Sequence, residues 1–191
     1  MRFRFAKPRR LIAALAWIAF FAIASSASAE PMRLVVWKHR HLMQLKRGDA
    51  VVTQYRVSLG YVPIGRKELR GDGRTPVGIY YIYEKRPSDR FRWFLALNYP
   101  DRDDADHAFD AGRISADTWA DIWLADKFHL QPPWNTPLGG FVGIHGTGGD
   151  AWKSRLRRVS DWTDGCIAVS DGAIEELYTM LPVGTEVEIH E

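Results

Sequence analysis

The chain carries a single cysteine, Cys166, and 21 residues before it His145 stands at the end of an apolar run. A free thiol has a pKa near 8.5, so only a few per cent is thiolate at neutral pH. A histidine within hydrogen-bond reach can take the thiol proton and later return it to a leaving amine, an effect typically worth about 10²–10⁴-fold. Gly165 directly precedes the cysteine. Glycine there lets backbone N–H groups approach a developing oxyanion with no Cβ in the way, and the amides of Gly165 and Cys166 are the candidate donors. Losing one such donor generally costs about 10²–10³ in rate. The chemistry that these residue types allow is acyl transfer.

Two strands must bring the pair together. Phe141 to His145 and Gly165 to Val169 read as short buried strands whose ends meet if they lie side by side. The rest of the chain from Glu30 reads as strands first: Arg33 to Trp37, Leu42 to Lys46, Ala50 to Leu59, Val77 to Tyr83, Phe91 to Leu97, and a closing Thr185 to His190. Within Ala50 to Leu59, the alternation of Val51, Thr53, Tyr55 and Val57 with polar neighbours predicts one buried face. Ser115 is placed to cap a helix running toward Leu130 and stopped by Pro132-Pro133. Ser170 or Asp171 opens another, with Ile174, Leu177, Tyr178 and Leu181 on one face. The expected fold class is mainly β with a few helices packed outside.

The chain opens with a secretory signal pattern, a basic stretch, an apolar run from Leu11 to Ala24 and small residues Ala27-Ser28-Ala29. Cleavage there leaves one domain over residues 30–191, with no stable membrane span. Five of the 26 Lys and Arg lie in the signal, leaving 21 against 23 Asp and Glu and a formal charge of −2. Nucleic-acid binding, which relies on a basic excess, loses its main support. Export also sharpens the question of the cysteine, since exported proteins usually pair their thiols and this one has no partner. A buried structural thiol is the ordinary reading of a lone cysteine. The context around Cys166 favours the nucleophile.

Other groups carry less. His39 and His41 alternate on an expected strand but lack further ligands at metal spacing, so no metal site is expected. The glycines at 146, 148 and 149 lack the Lys-Ser/Thr ending of a phosphate loop. Lys153, Arg155, Arg157 and Arg158 form a basic loop between the two chemical residues, and its arginines are candidate contacts for substrate carboxylates. Trp162 can stack on substrate.

The segment from Phe141 to Ser170 resembles the active-site region of L,D-transpeptidases of the YkuD type. Thr163-Asp164-Gly165-Cys166 matches their Ser/Thr-His-Gly-Cys signature except at the histidine, and Thr75-Pro76-Val77-Gly78 is similar to their Thr-Pro-x-Gly segment. The phrases at 57–60, 97–112, 138–146 and 161–169 are most similar to the YafK-like branch. The resemblance implies a β-sandwich-like catalytic domain with Cys166 as acylated nucleophile and His145 as base. It further implies that the Gly146 carbonyl orients the imidazole and that amides near Gly165 hold the oxyanion. The implied substrate is a peptidoglycan stem peptide, attacked at the carbonyl of its third residue. The acceptor would be an amine, as in cross-linking or attachment of an outer-membrane lipoprotein lysine, or water, which makes the enzyme a hydrolase. No metal or organic cofactor is implied, and the location is the periplasm or cell envelope. Asp164 in place of the motif histidine leaves open a binding module without catalysis. Asp164 and Thr163 are candidate substrate contacts. Ala168 stands where many such proteins have arginine, and residues 113–137 look like an insertion able to serve as a lid.

Overall fold

The computed structural model describes residues 30–149, 155–157 and 160–191. The signal segment, Lys153 and Arg158 therefore lie outside the described residues.

Eight strands make one sheet, in the order β3-β2-β1-β8-β4-β5-β6-β7. These are β1 (Met32–Trp37), β2 (Leu42–Arg47), β3 (Ala50–Arg56), β4 (Gly78–Ser88), β5 (Arg92–Leu97), β6 (Gly143–Gly146), β7 (Ile167–Val169) and β8 (Glu186–His190). Most neighbours are antiparallel, while β1 with β8 and β6 with β7 run parallel. Strand β4 is eleven residues long and serves both halves of the sheet, pairing with β8 through its first residues and with β5 through its last. Its register shifts between Ile82 and Glu84. A bulge of this kind bends a strand and increases its twist. The two ends of the sheet consequently approach each other, and Ser58, just past β3, exchanges hydrogen bonds with Ala168 of β7 at 2.9 and 2.8 Å. The sheet is a nearly closed sandwich, as the resemblance implied, within the mainly β fold expected from the strand-rich sequence.

Leu34, Val36, Leu45, Ile82, Leu95, Leu97, Ile144, Ile167 and Val187 fill the interior together with Ile174 and Leu177 from helix α3 (Asp171–Met180). Each of the two anticipated helices is capped as read: Ser115 accepts from the Thr118 N–H and Ser170 from the Ala173 N–H. Helix α2 is Ala116–Lys127.

Three local readings are corrected. First, Arg102–Asp110 is a helix, α1, that the periodicity had not revealed. Its signal was polar, an Asp101 cap in a reciprocal capping box with Asp104 and an acidic first turn. Second, β3 lies at the edge of the sheet, so Val51 and Val52 are both exposed, and the alternation holds only from Thr53 to Val57, with Ser58 buried. Third, His39 and His41 are not on a strand. They sit in the tight turn between β1 and β2, where His39 Nδ1 contacts the Glu191 carbonyl oxygen and His41 Nε2 pairs with Asp161 at 2.8 Å.

Candidate active site

Parallel pairing of β6 with β7 sets Ile144 beside Ile167 and His145 beside Ala168. Strand alternation then puts Cys166, two residues before Ala168, on the same face as His145. Diagonal neighbours on paired strands are roughly 7–8 Å apart, within reach of long side chains. Both residues line one cleft of about 710 Å³. His145 is buried, whereas Cys166 keeps part of its surface open to the cleft.

The imidazole is fixed from three sides. Nδ1 lies 2.7 Å from the Gly146 carbonyl oxygen. A carbonyl only accepts, so Nδ1 carries the proton and Nε2 is left as the acceptor. Phe91 stacks on the ring at 4.3 Å between centroids, and Trp162 meets it edge-on at 5.7 Å. Gly146 has to be glycine, since a Cβ there would stand 2.5 Å from Asp171 Oδ1 and 2.7 Å from the Phe91 carbonyl oxygen. Burial is the main cause that pushes His145 down to about 4, and Arg157 and Arg90 add to the depression. The Gly146 hydrogen bond and the Asp171 carboxylate oppose it.

The thiol sits in similar surroundings. Burial pushes Cys166 up to about 11, and the Asp164 carboxylate adds to this, while the Gly143 N–H and the Lys67 ammonium oppose it. Sγ donates to the Phe141 carbonyl oxygen at 3.6 Å. Among the described residues no hydrogen bond joins Sγ to the imidazole. At neutral pH the resting pair is therefore thiol and neutral imidazole, a nucleophile and a base rather than an ion pair. Catalytic hydrogen bonds are often long in the free enzyme and tighten with substrate bound.

The nucleophile loop is held by its own groups and by the second motif. Thr163 Oγ1 donates to the Cys166 carbonyl at 2.7 Å and accepts from the Gly165 N–H at 3.2 Å. The Gly165 amide is thus engaged within the loop, whereas the Cys166 amide is the other of the two candidate oxyanion donors. Thr163 borders the cleft, but its hydroxyl is committed inside the loop rather than offered to a substrate. Gly165 has φ +135°, and a Cβ there would lie 2.7 Å from the Arg74 carbonyl oxygen. That contact presses the segment just before Thr75-Pro76 against the nucleophile loop. Thr75, fully buried, accepts from the Gly60 N–H at 2.9 Å, and Gly60 in turn lies beside Thr163. Asp161 closes the start of the loop by accepting from the Leu59 N–H at 2.8 Å.

The remaining sequence candidates divide. Asp164 is exposed at the cleft rim. Trp162 borders the cleft, with Nε1 donating to the Arg157 carbonyl at 3.0 Å. Arg157 donates from Nη1 to the Thr147 carbonyl at 2.7 Å and lies over the Trp162 ring, so it braces the cleft wall. From the 113–137 stretch, none of the residues lining this cleft is drawn; Trp134 and Asn135 border a neighbouring depression that shares Gly140, Phe141 and Asp164 with it. Helix α2 instead packs through Ile122 on Ala105 and Ala108 of α1. Sequence reasoning missed Arg86, Arg90 and Phe91, which lie outside both motifs, and gave Phe141 and Asp171 no role at the site. Phe141, expected inside a buried strand, is 44% exposed with φ +61°.

This fold, with a histidine and a cysteine on neighbouring parallel strands, agrees with comparison to known proteins. The chain belongs to the YkuD L,D-transpeptidase catalytic domain family, whose model matches residues 31–189. Among solved structures it is similar to the helical cell shape determining protein Pgp2 from Campylobacter jejuni. The TM-score is 0.56 at 18% identity, covering 86% of this chain and 49% of that one. It is also similar to Bd1075 of Bdellovibrio bacteriovorus, with TM-score 0.50 at 19% identity, covering 87% and 50%. The chain thus spans about half the length of these two proteins. No protein with a curated function matches it in sequence.

Proposed function

We propose that this chain is a cysteine acyltransferase that forms an acyl-enzyme on Cys166 at the third residue of a peptidoglycan stem peptide. The family acts on peptidoglycan peptides in the cell envelope, and the signal-like first 29 residues fit that location. One observation carries the reading: a partly open thiol and an imidazole with its Nε2 unprotonated face one cleft from adjacent strands.

The steps follow from the resting protonation. His145 Nε2 takes the thiol proton as Sγ attacks the carbonyl carbon, and the oxyanion forms near the Cys166 amide. The imidazolium is unfavourable in this buried position, and Asp171 is the carboxylate that eases it. Nε2 then gives the proton to the departing amine as the C–N bond breaks, leaving a thioester. In the second half His145 deprotonates the acceptor, which attacks the thioester and releases the thiol. An amine acceptor makes a cross-link, and water makes a trimmed stem or frees an attached lipoprotein lysine.

Incubation of the protein with defined muropeptides, read by mass, tests the proposal. Cross-linked, trimmed or released products that vanish in Cys166→Ala support it and select the acceptor. Unchanged behaviour of Cys166→Ala would instead mark a binding module without catalysis.

A further inference from the structure

One wall of the cleft is the end of β4 and the turn into β5, residues 86–91, and it carries two arginines outside both sequence motifs. The Arg86 guanidinium lies over the rings of Phe94 and Phe141 at 5.2 and 4.9 Å, and Arg90 lies over Phe91 at 5.0 Å. Two of these rings also pack on the base, Phe91 at 4.3 Å and Phe94 at 6.3 Å from His145. Each guanidinium therefore shares an aromatic neighbour with the imidazole.

Among the described residues neither arginine has a hydrogen-bond partner for its guanidinium; Arg86 makes a long ion pair from Nε to Glu84 at 3.9 Å, and Arg90 makes none. Arg157, the third arginine of the cleft, differs because it is tied to the Thr147 carbonyl and the Trp162 ring. Lys67 is likewise tied to Asp72 at 2.7 Å. Stacking on aromatic faces holds a guanidinium plane in place, and its planar fork of donors matches a carboxylate. Strand β7 supplies no cation here, since Ala168 is buried beside His145. The carboxylates bordering the same cleft, Asp89 and Asp164, are both exposed.

We propose that Arg86 and Arg90 form a carboxylate-recognition subsite that selects donor stem peptides carrying a free carboxylate near the scissile bond. This rests on the peptide-stem reading of the cleft and adds the residues that read the donor's charge. Arg86 makes the principal contact, and Arg90, at the exposed rim, a weaker one.

The test is calorimetric titration of Cys166→Ala protein, which binds without turning over. The ligands are a tetrapeptide stem with free carboxylates and three analogues, each with one carboxylate converted to carboxamide at residue two, residue three or the C-terminus. A charge-assisted pair should make one analogue bind about ten- to a hundredfold more weakly than the free acid, identifying which carboxylate is read. Adding Arg86→Gln should weaken the free acid by a similar factor and abolish the preference, with a smaller loss for Arg90→Gln. Full preference for the free acid in both variants and in their double combination would overturn the proposal while leaving the stem reading intact. Failure of the Cys166→Ala protein to bind any of the four would overturn the stem reading and this one with it. A misfolded Arg86→Gln protein would lose acid and amide binding alike, and the exposed Arg90→Gln then decides on the same ratio.

Discussion

Two regions of this domain bury titratable groups, and they treat them in opposite ways. At the start of α1, Asp104 uses its oxygens fully: Arg66 donates to one at 2.8 Å, and the Tyr80 hydroxyl and the Asp101 N–H donate to the other at 3.0 and 3.3 Å. Asp101 accepts from the Asp104 N–H in return. At the cleft, among the described residues His145 bonds only through Nδ1, and Cys166 Sγ makes a long contact to the Phe141 carbonyl and meets the Gly143 N–H. Burial with every valence filled makes a structural joint, whereas burial with a valence left open toward a cleft makes a reactive group. The signs of the shifts differ as well. Burial and the Asp104 carboxylate push Asp101 well above the ordinary carboxylate range, so it favours its protonated form on folding, while His145 is pushed down to about 4 and favours its neutral form.

The comparison can be broken most directly at the sulfur. Cys166→Ala should lose acyl transfer entirely and show no acyl adduct by intact mass, with little change in thermal stability. His145→Gln should lower kcat/KM by about 10²–10⁴-fold. In the parent enzyme kcat/KM should stay flat from about pH 5 to 10, because base and thiol titrate near 4 and 11. A bell centred near pH 7 would instead indicate a preformed thiolate–imidazolium pair.

At the structural joint the loss should appear in stability rather than in rate. Asp104→Ala leaves the Tyr80 hydroxyl and the Arg66 guanidinium without their acceptor, and a cost of about 3 kcal/mol in urea unfolding is expected. Residual folded protein should keep its kcat.

The pH dependence of stability separates the two regions by sign. The unfolded imidazole binds a proton near pH 6.5 and the folded one only near 4, so stability is lost as pH falls through that window, by on the order of 3 kcal/mol. Asp101 acts oppositely: its contribution is complete below its unfolded value, about pH 4, and is lost as pH rises through its raised folded value. Melting curves should therefore lose their acid limb in His145→Gln and their falling limb in Asp101→Asn. Either variant changing the other's limb would show that the regions are coupled. The smallest effect is expected for Gly165→Ala, about 1–3 kcal/mol, because it combines a positive φ with the approach of the Arg74 carbonyl.

Chain patterns announced strands, caps and chemistry unevenly. Ser115 and Ser170 were legible as caps because N-capping is local. Helix α1 was not, since its capping box uses Asp at both ends and its buried face is mostly small residues, Ala105 and Ala108. Cys166 and His145 could be singled out because a lone thiol beside a glycine, with a histidine ending an apolar run, is a pattern of residue types, and the fold sets both on one cleft. Arg86, Arg90, Phe91 and Phe141 were not, because an arginine or phenylalanine in a turn looks the same whether it faces water or a cleft.

The amino-acid order alone thus determined which atoms could react, since nucleophilicity and basicity belong to side-chain chemistry. Their protonation states were decided only when folding removed water from both, because desolvation depends on everything packed nearby. The same holds for Gly165, whose necessity arises from the Arg74 carbonyl that the folded chain presses against it.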